Sequence, residues 1–241
     1  GANIQARIGE RMGNIYGAGF ARVEDPSSPY FGQIIHNTSG TPITDPTLKL
    51  QGNYNPDWML GLANSLNYKG ISLGFLFDYR HGGIVVSRTK TIGSTSGQLE
   101  ETLFGRENGY DLNVEGNGII SEGVIRNADG SFTPNTIKIT SRNWHNRYYE
   151  RNNVEAAKYD ATFLKLREVT IGYTIPKSLL SRIPVQDVKI SLVARNLALW
   201  TENPHFDPET LAMGGGTLIP GVEDMSFPST RSIGFNLNVK F

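Results

Sequence analysis

One short stretch of the chain combines aromatic rings with polar donors. Residues 144–149 read Trp-His-Asn-Arg-Tyr-Tyr. Aromatic faces beside amide and guanidinium donors suit stacking on sugar rings and hydrogen bonding to their hydroxyl groups. The sequence therefore nominates a ligand-binding patch in a loop, made of Trp144, His145, Arg147, Tyr148 and Tyr149. The favoured alternative is that these rings pack against a neighbouring loop or a partner protein.

A second set of residues offers oxygen ligands for a cation. Calcium prefers carboxylate oxygens, and these are available from Asp207, Glu209, Glu223 and Asp224. The four residues lack the spacing of an EF-hand loop, so a solvated acidic surface is the favoured interpretation. We therefore predict no metal site and no cofactor.

The chain shows no arrangement of nucleophile, base and acid. Its four histidines are scattered without metal-ligand spacing at His36, His81, His145 and His205. Residues 93–97 read Gly-Ser-Thr-Ser-Gly, which puts threonine where a nucleophile elbow requires serine. The chain has no cysteine. We therefore predict no enzymatic activity, and a β-rich hydrolase is a disfavoured alternative.

Composition narrows the class of protein further. The 23 basic and 23 acidic residues give zero net charge, which argues against a nucleic-acid partner. The 27 glycines and 24 aromatic residues (11 Phe, 10 Tyr, 3 Trp), together with short alternating runs, indicate many strands and turns. No run of about 18 apolar residues is present, so no membrane-spanning helix is predicted.

The end of the chain alternates strictly between apolar and polar residues. On a strand this pattern produces one apolar and one polar face. It suits a soluble sheet that covers a core, or a barrel strand whose apolar face meets lipid. The apolar positions are Ile233, Phe235, Leu237, Val239 and Phe241.

A long hairpin is predicted over residues 57–80. Two alternating runs of about ten residues flank Lys69-Gly70, a tight-turn signal. At ~3.3 Å per residue and ~45° tilt, each run spans the ~25 Å apolar band of an outer membrane, whereas sandwich strands usually have about five or six residues. We predict that one face meets lipid: Trp58, Leu60, Leu62, Leu66, Ile71, Leu73, Phe75 and Phe77. The inward face comprises Met59, Gly61, Ala63, Ser65, Ser72, Gly74 and Asp78.

Charged residues fall on the polar phase of the predicted strands. A basic residue on the lipid face costs ~2–4 kcal/mol at the bilayer midplane. We therefore expect the following residues to face inward and to pair with one another: Asp78, Arg80, Glu168, Lys189 and Arg195.

Long and short connections alternate along the chain. Further strands are predicted over 13–22, 162–175 and 188–200, and residues 41–46, with two prolines, are predicted as loop or edge strand. The connections 81–158 and 201–230 are long and lack alternation, whereas 69–70 and 176–187 are short. An antiparallel sheet then carries both long connections at one end and both short turns at the other. Thr95 and Gln98 predict a short helix through Leu99 and Leu103.

Several motifs resemble those of one family, the SusC-like TonB-dependent outer-membrane transporters. They follow the order of that family's C-terminal part and cover about the whole chain. Each motif is weak alone, but the set is specific. The motifs are GNYNPDW at 52–58, GLAN at 61–64, YKG at 68–70, FLKLREVTIGY at 163–173, ARNL at 194–197, DPE at 207–209 and the final Phe241.

The resemblance implies an all-β fold, an antiparallel transmembrane β-barrel of about 22 strands with short periplasmic turns and long extracellular loops. Residues 1–241 are expected to supply about seven or eight C-terminal strands, with the plug and the N-terminal barrel strands outside this sequence. The implied location is the outer membrane of a Gram-negative bacterium. The implied function is import of glycans or oligopeptides.

The resemblance also implies partners. These are a SusD-like surface lipoprotein, the TonB energy-coupling system acting through the N-terminal part, outer-membrane lipid, and the barrel-assembly machinery. That machinery is expected to read the last strand through Phe235, Leu237, Val239 and Phe241. The alternative function from another class is a soluble all-β carbohydrate-binding module.

Overall fold

Strands dominate the computed structural model, which describes residues 1–181, 184–214 and 217–241. The chain divides into two compact units. The first unit comprises residues 1–54, 84–159 and 211–226, and the second comprises 55–83, 160–210 and 227–241.

The strands are β1 Asn3–Gln5, β2 Asn14–Phe20, β3 Ile35–His36, β4 Thr44–Asn53, β5 Trp58–Tyr68, β6 Ile71–His81, β7 Ile84–Ser87, β8 Ile119–Ile120, β9 Val124–Arg126, β10 Phe132–Pro134, β11 Lys138–Ile139, β12 Lys158–Asp160, β13 Phe163–Thr174, β14 Asp187–Thr201, β15 Ala212–Gly214, β16 Thr217–Ile219, β17 Val222–Glu223 and β18 Ser232–Lys240. The α-helices are α1 Arg88–Ser96, α2 Ser141–Tyr148 and α3 Lys177–Leu180, and 3₁₀ turns cover Glu100–Leu103 and Glu155–Ala157.

The second unit is built on one antiparallel sheet of five long strands in the order β18-β14-β13-β6-β5. The predicted hairpin is confirmed as β5 and β6, with Tyr68 opposite Ile71. Lys69 and Gly70 have φ values of 47° and 86°. Positive φ at both central residues is what a type I′ turn requires, and this turn matches the right-handed twist of the strands.

The strand register separates an apolar face from a polar one. Residues directly opposite each other on neighbouring strands share a face. One row crosses all five strands and consists of Leu66, Leu73, Ile171, Leu192 and Phe235. Every member of this row is a large apolar residue.

The adjacent row, one residue along each strand, lies on the other face. It consists of Asn67, Ser72, Gly172, Ser191 and Asn236. The register thus confirms that the eight apolar residues predicted for the hairpin share one face and that the seven predicted inward residues share the other.

Both long connections begin and end at the same end of this sheet. The pairs Trp58–His81 and Phe163–Thr201 lie at that end. The opposite end carries the Lys69-Gly70 turn and the connection from β13 to β14, which contains α3. The predicted alternation of connections is confirmed, although parts of it, residues 182–183 and 215–216, lie outside the described residues.

A bulge interrupts the middle strand of the sheet. The register of β13 shifts between Leu166 and Glu168 against both neighbouring strands, so that Arg167 has no opposite residue. A bulge re-aims the side chain of its extra residue and increases the local twist. Here the re-aimed side chain is a guanidinium.

The first unit packs short strands around a small core. Strand β2 is buried at all seven positions and lies between β1 and β4. Its Ile15 forms the core with Val86, Val154 and Ala157. The predicted strand over 13–22 is therefore confirmed, and β4, which includes Pro46, is the edge strand expected around 41–46.

The segment 81–158 contains more regular structure than its sequence predicted. Helix α1 begins after Ser87, whose hydroxyl accepts a hydrogen bond from the Lys90 amide at 3.0 Å. The predicted helix start at Thr95 is wrong, because the Thr95 hydroxyl donates to the Thr91 carbonyl at 2.8 Å inside the last turn of α1. Only the 3₁₀ turn Glu100–Leu103 falls within the predicted helix.

Five strands form the long sheet, while β2 and β4 belong to the first unit. A contribution of seven or eight barrel strands therefore stays a prediction. In the described ranges no helix has the length and apolar character needed to cross a membrane.

Candidate functional site

Helix α2 carries the residues predicted to bind a ligand. It begins after Thr140, whose hydroxyl accepts a hydrogen bond from the Asn143 amide at 3.2 Å. Such a cap satisfies one of the free N–H groups at a helix N-terminus. The helix buries His145 and leaves Arg147 exposed.

The aromatic residues of α2 pack mainly on one another. The rings of Trp144 and Tyr148 stack with centroids 4.6 Å apart, and Tyr148 also meets Phe20 at 4.7 Å. Tyr149 lies edge-on to Tyr148 at 4.9 Å. Burial raises the pKa of both tyrosine hydroxyls. These contacts favour the packing interpretation for three of the five predicted residues, whereas His145 faces a cavity.

That cavity, which we call the α2 pocket, has a volume of about 310 Å³. It lies between α1 and α2, within the first unit. Hydroxyl groups and basic side chains dominate its lining. The lining residues are Ser94, Thr95, Ser96, Gly97, Thr102, Arg106, Tyr110, Ser141, Arg142 and His145.

Arg106 is held in place at the wall of the α2 pocket. Its terminal nitrogens donate to the Gly97 carbonyl at 2.8 Å, the Thr102 hydroxyl at 2.9 Å and the Tyr110 hydroxyl at 2.9 Å. Its Nε is buried and has no hydrogen-bond partner among the described residues. All partners of this guanidinium are neutral, so its charge is not compensated by a carboxylate.

Arg142 and His145 add further donors to the α2 pocket. Arg142 makes no hydrogen bond or ion pair with any described residue. His145 is only 5% exposed, and neither ring nitrogen has a partner in the described part of the chain. Burial lowers the pKa of His145 to about 4, and the nearby charges of Lys90 and Arg106 act in the same direction. The ring is therefore neutral at pH 7, with one donor and one acceptor nitrogen.

A second polar cluster lies in the five-stranded sheet unit. Lys165 of β13 is 2% exposed and donates to Asp207, which is 3% exposed, at 2.7 and 2.8 Å. It also contacts Glu209. Arg167, the residue of the bulge, donates to Asp78 at 2.7 Å and to Glu209 at 2.7 Å. We call these five residues the ion network.

The ion network ties the segment after β14 to the polar face of the sheet. Burial alone would raise the pKa of Asp207, but hydrogen bonds from Lys165 and Ser229 outweigh it and bring this pKa below its usual value. The pKa of Glu209 is lowered in the same way by Arg167 and Lys165. Both carboxylates therefore stay ionised, and their charges are compensated inside the network.

The other acidic residues considered as calcium ligands also have partners. Glu223 accepts hydrogen bonds from the hydroxyls of Ser87 and Thr89 at 2.7 and 2.5 Å. Asp224 pairs with Arg88 at 2.6 Å. The described residues contain no group of three or more side chains arranged to hold a metal ion.

Charges on the polar face pair in part as predicted. Arg195 donates to Glu168 on the neighbouring strand at 2.9 Å, and Asp78 belongs to the ion network. The last strand lies at the edge of the sheet and, among the described strands, pairs with β14 alone. Its apolar residues Phe235, Leu237, Val239 and Phe241 are solvent-exposed to 82%, 56%, 37% and 79%.

Sequence comparison connects this arrangement to known proteins. No family model matches the chain. TonB-dependent receptor P3 of Formosa agariphila is 24% identical over 98% of the chain. TonB-dependent receptor P26 of the same organism is 25% identical over 87% of the chain. The chain is similar to these two TonB-dependent receptors over most of its length. The resemblance to SusC-like TonB-dependent transporters found in the motifs is thereby confirmed.

Solved structures support the same fold. The RagAB peptide importer in its open-open state superposes with a TM-score of 0.58 at 17% identity over 95% of this chain, and its closed-closed state with 0.55 at 17% identity over 94%. The chain spans 20–23% of the length of the two TonB-dependent receptors and 23–24% of these structures. It therefore corresponds to between a fifth and a quarter of the length of these proteins.

Sequence reasoning predicted some of the polar residues described above and missed others. It nominated His145 but neither Arg106 nor Arg142, which lie 36 positions apart and carry no local motif. The N-cap residue Thr140 is a local sequence signal for the start of α2 that sequence reasoning did not use. Lys165 and Asp207 fall within two motifs of the resemblance, but they lie 42 positions apart and only the fold brings them into contact.

Proposed function

We propose that this chain is a C-terminal part of the β-barrel of an outer-membrane TonB-dependent transporter in a Gram-negative bacterium. The observation that carries the proposal is the continuous apolar face of the five-stranded sheet. Its strands have 9 to 15 residues. Eleven residues at ~3.3 Å and ~45° tilt span about 26 Å, which matches the apolar height of such barrels.

In such a barrel the two faces of the sheet meet different surroundings. The apolar face meets lipid, and the polar face, with the ion network, lines the lumen. Strands β5 and β18 are the sheet edges, and they pair with strands from the remainder of the longer protein. Closure into a barrel of about 22 strands removes both edges.

The transporter imports glycans or oligopeptides, working with a SusD-like surface lipoprotein and the TonB energy-coupling system. The long connections at one end of the sheet support an extracellular surface large enough for a ligand and a lipoprotein. The similarity to TonB-dependent receptors and to the fold of a peptide importer supports the class of activity. TonB coupling requires the N-terminal part of the full-length protein.

A pair of substitutions tests the orientation in the membrane. Leu62→Arg places a cation on the apolar face near the middle of β5, and Ala63→Arg places it on the polar face at the same depth. We expect the first change to cost ~2–4 kcal/mol and to lower the amount of full-length protein extracted from outer membranes, whereas the second leaves it near the parent level. Equal effects, or a full-length protein that is soluble without detergent, would favour the carbohydrate-binding module.

The transport activity is tested in cells. Uptake of defined labelled oligosaccharides and peptides is measured in the parent strain, in a strain lacking the transporter, and in a strain lacking TonB. Loss of uptake of at least one of these compounds in both deletion strains is expected. Uptake that survives both deletions for every compound contradicts the proposal.

A further inference from the structure

We infer that the α2 pocket binds the carboxylate of an acidic sugar residue of an oligosaccharide. The inference rests on the proposed import function and names its substrate class. It is carried by three features of the α2 pocket: unpartnered buried donors, uncompensated positive charge, and a ring of hydroxyl oxygens.

The donors come from two arginines and one histidine. The Nε of Arg106 and both ring nitrogens of His145 are buried without partners among the described residues. Leaving buried polar groups unpaired costs about 1–3 kcal/mol each. An oxyanion accepts hydrogen bonds from Arg106 Nε and from the one protonated ring nitrogen of the neutral His145, and a hydroxyl of the ligand donates to the other ring nitrogen. Arg142 is free to approach from the rim of the pocket because it has no partner within the described chain.

The charge of the α2 pocket is positive. Arg106 and Arg142 each bring one positive charge, and none of the ten lining residues is acidic. Glu101 lies near α1 but pairs with the buried Lys90. A guanidinium binds a carboxylate through parallel charge-assisted hydrogen bonds. The pocket therefore selects an anion over a neutral group.

The hydroxyl groups indicate that the anion belongs to a sugar. Those of Thr95, Ser96, Thr102 and Ser141 donate to backbone carbonyls at 2.6 to 3.1 Å. Their hydrogens are used, so each oxygen offers a lone pair as acceptor. A ligand that supplies several hydroxyl donors beside its carboxylate satisfies them, and a uronic acid has this combination.

The size of the pocket limits how much of the ligand enters. Its volume of about 310 Å³ is at the lower end of the ~300–1,000 Å³ range of small-molecule sites. One sugar residue enters, and the rest of the oligosaccharide lies outside. The stacked rings of Trp144 and Tyr148 stiffen α2, which carries Arg142 and His145.

The test uses the purified full-length transporter in detergent and isothermal titration calorimetry. The probes are tetragalacturonate and its fully methyl-esterified form, which keeps the sugar skeleton and removes the carboxylates. A second pair is tetra-alanine and its C-terminal amide. We expect tetragalacturonate to bind at least about tenfold more tightly than the ester, since a hydrogen bond to a charged group contributes about 1.5–3 kcal/mol.

Matched arginine variants locate the binding. Arg142→Gln is the first choice because Arg142 makes no hydrogen bond or ion pair with a described residue, and it should weaken tetragalacturonate binding about tenfold while leaving ester binding unchanged. Arg126→Gln changes an exposed arginine outside the pocket and should have no effect. Thermal melts of both variants verify that they are folded.

Four results would overturn the inference: equal binding of acid and ester, no binding of tetragalacturonate, unchanged affinity in Arg142→Gln, or Arg142-dependent binding of tetra-alanine in preference to tetragalacturonate. The last result would assign the pocket to a peptide carboxylate. The proposed import function is refuted by a different result, namely uptake of every compound that survives both deletions in the uptake assay. Uptake that depends on TonB together with unchanged binding in Arg142→Gln refutes the sugar-acid inference alone.

Discussion

At the scale of single residues, His145 shows how burial sets the state of a site. Its pKa is lowered to about 4, first by burial and then by Lys90 and Arg106. An unfolded histidine titrates near 6.5. Between pH 6.5 and 4 the unfolded chain therefore binds more protons at this residue than the folded chain. The stability that the neutral ring contributes is complete above pH 6.5 and is lost as the pH falls towards 4.

We predict that the first unit loses stability in this pH range partly through His145. His145→Gln should reduce the decline in protection of α2 amides between pH 6.5 and 4, because glutamine cannot be protonated there. Hydrogen exchange of the full-length transporter in detergent measures this protection. His205→Gln, outside the first unit, serves as the control. Identical pH profiles in the parent and His145→Gln would contradict the assigned pKa.

A glycine in the first unit makes an equally local prediction. A Cβ at Gly17 would lie 2.5 Å from the Val154 Cγ2 atom, so Gly17→Ala forces the core apart. Overpacking of this kind costs about 1–3 kcal/mol, and we expect faster hydrogen exchange of β2. Gly61→Ala is the matched control, because nothing lies within 4 Å of its added Cβ and the residue is also in a strand. Similar exchange in both variants would refute the close contact.

At the scale of elements, the ion network connects a strand to the segment that follows another strand. Lys165 lies on β13, and its partners Asp207 and Glu209 follow β14. Removing one partner of a buried pair leaves the other charge uncompensated, which costs about 3–5 kcal/mol. The network therefore fixes the start of the β14–β18 connection on the sheet.

We predict that Lys165→Met releases this connection. Residues 202–210 should become sensitive to protease in the full-length transporter. The denaturation midpoint should fall by an amount that corresponds to the loss of about 3–5 kcal/mol in the free energy of unfolding. Arg195→Gln breaks the exposed pair with Glu168, which contributes about 0–1 kcal/mol, and should leave protease sensitivity unchanged. Equal sensitivity of the two variants would show that the network does not hold the connection.

The same elements show where sequence reasoning succeeds and where it stops. The alternation of apolar and polar residues predicted strands β5, β6 and β18, because the side chains of these strands meet different environments on their two faces. It missed the Arg167 bulge, although the apolar positions change phase there, from Leu164 and Leu166 to Val169 and Ile171. Helix α2 was missed because its sequence, Ser141–Tyr148, contains few strong helix formers. The α2 pocket joins residues 36 positions apart, and only the folded chain brings them together.

At the scale of the whole molecule, the two units divide the work of the proposed transporter. The second unit has the apolar sheet face that is proposed to meet lipid, and the ion network lies on its other face. The first unit carries a polar pocket whose basic groups have no acidic partner among the described residues.

The last strand lies at an edge of the five-stranded sheet. Strand β18 is an edge strand, and an unpaired edge offers backbone groups for strand addition. Phe241 is 79% exposed and follows β18 directly. It thus gives that edge one apolar anchor. We propose that the barrel-assembly machinery binds this edge and its final aromatic ring, whereas a role confined to the aromatic girdle would affect only the finished barrel.

These two roles predict different results for deletion of Phe241 from the full-length transporter. We expect the amount of protein in the outer membrane to fall several-fold, because recognition by the assembly machinery precedes folding. The melting temperature of the molecules that do assemble should change little, since removal of one exposed terminal ring disturbs no core packing. Quantitative blots of outer membranes and melts of the purified protein give the two values. Parent-level amounts in the membrane would leave Phe241 with the girdle role alone.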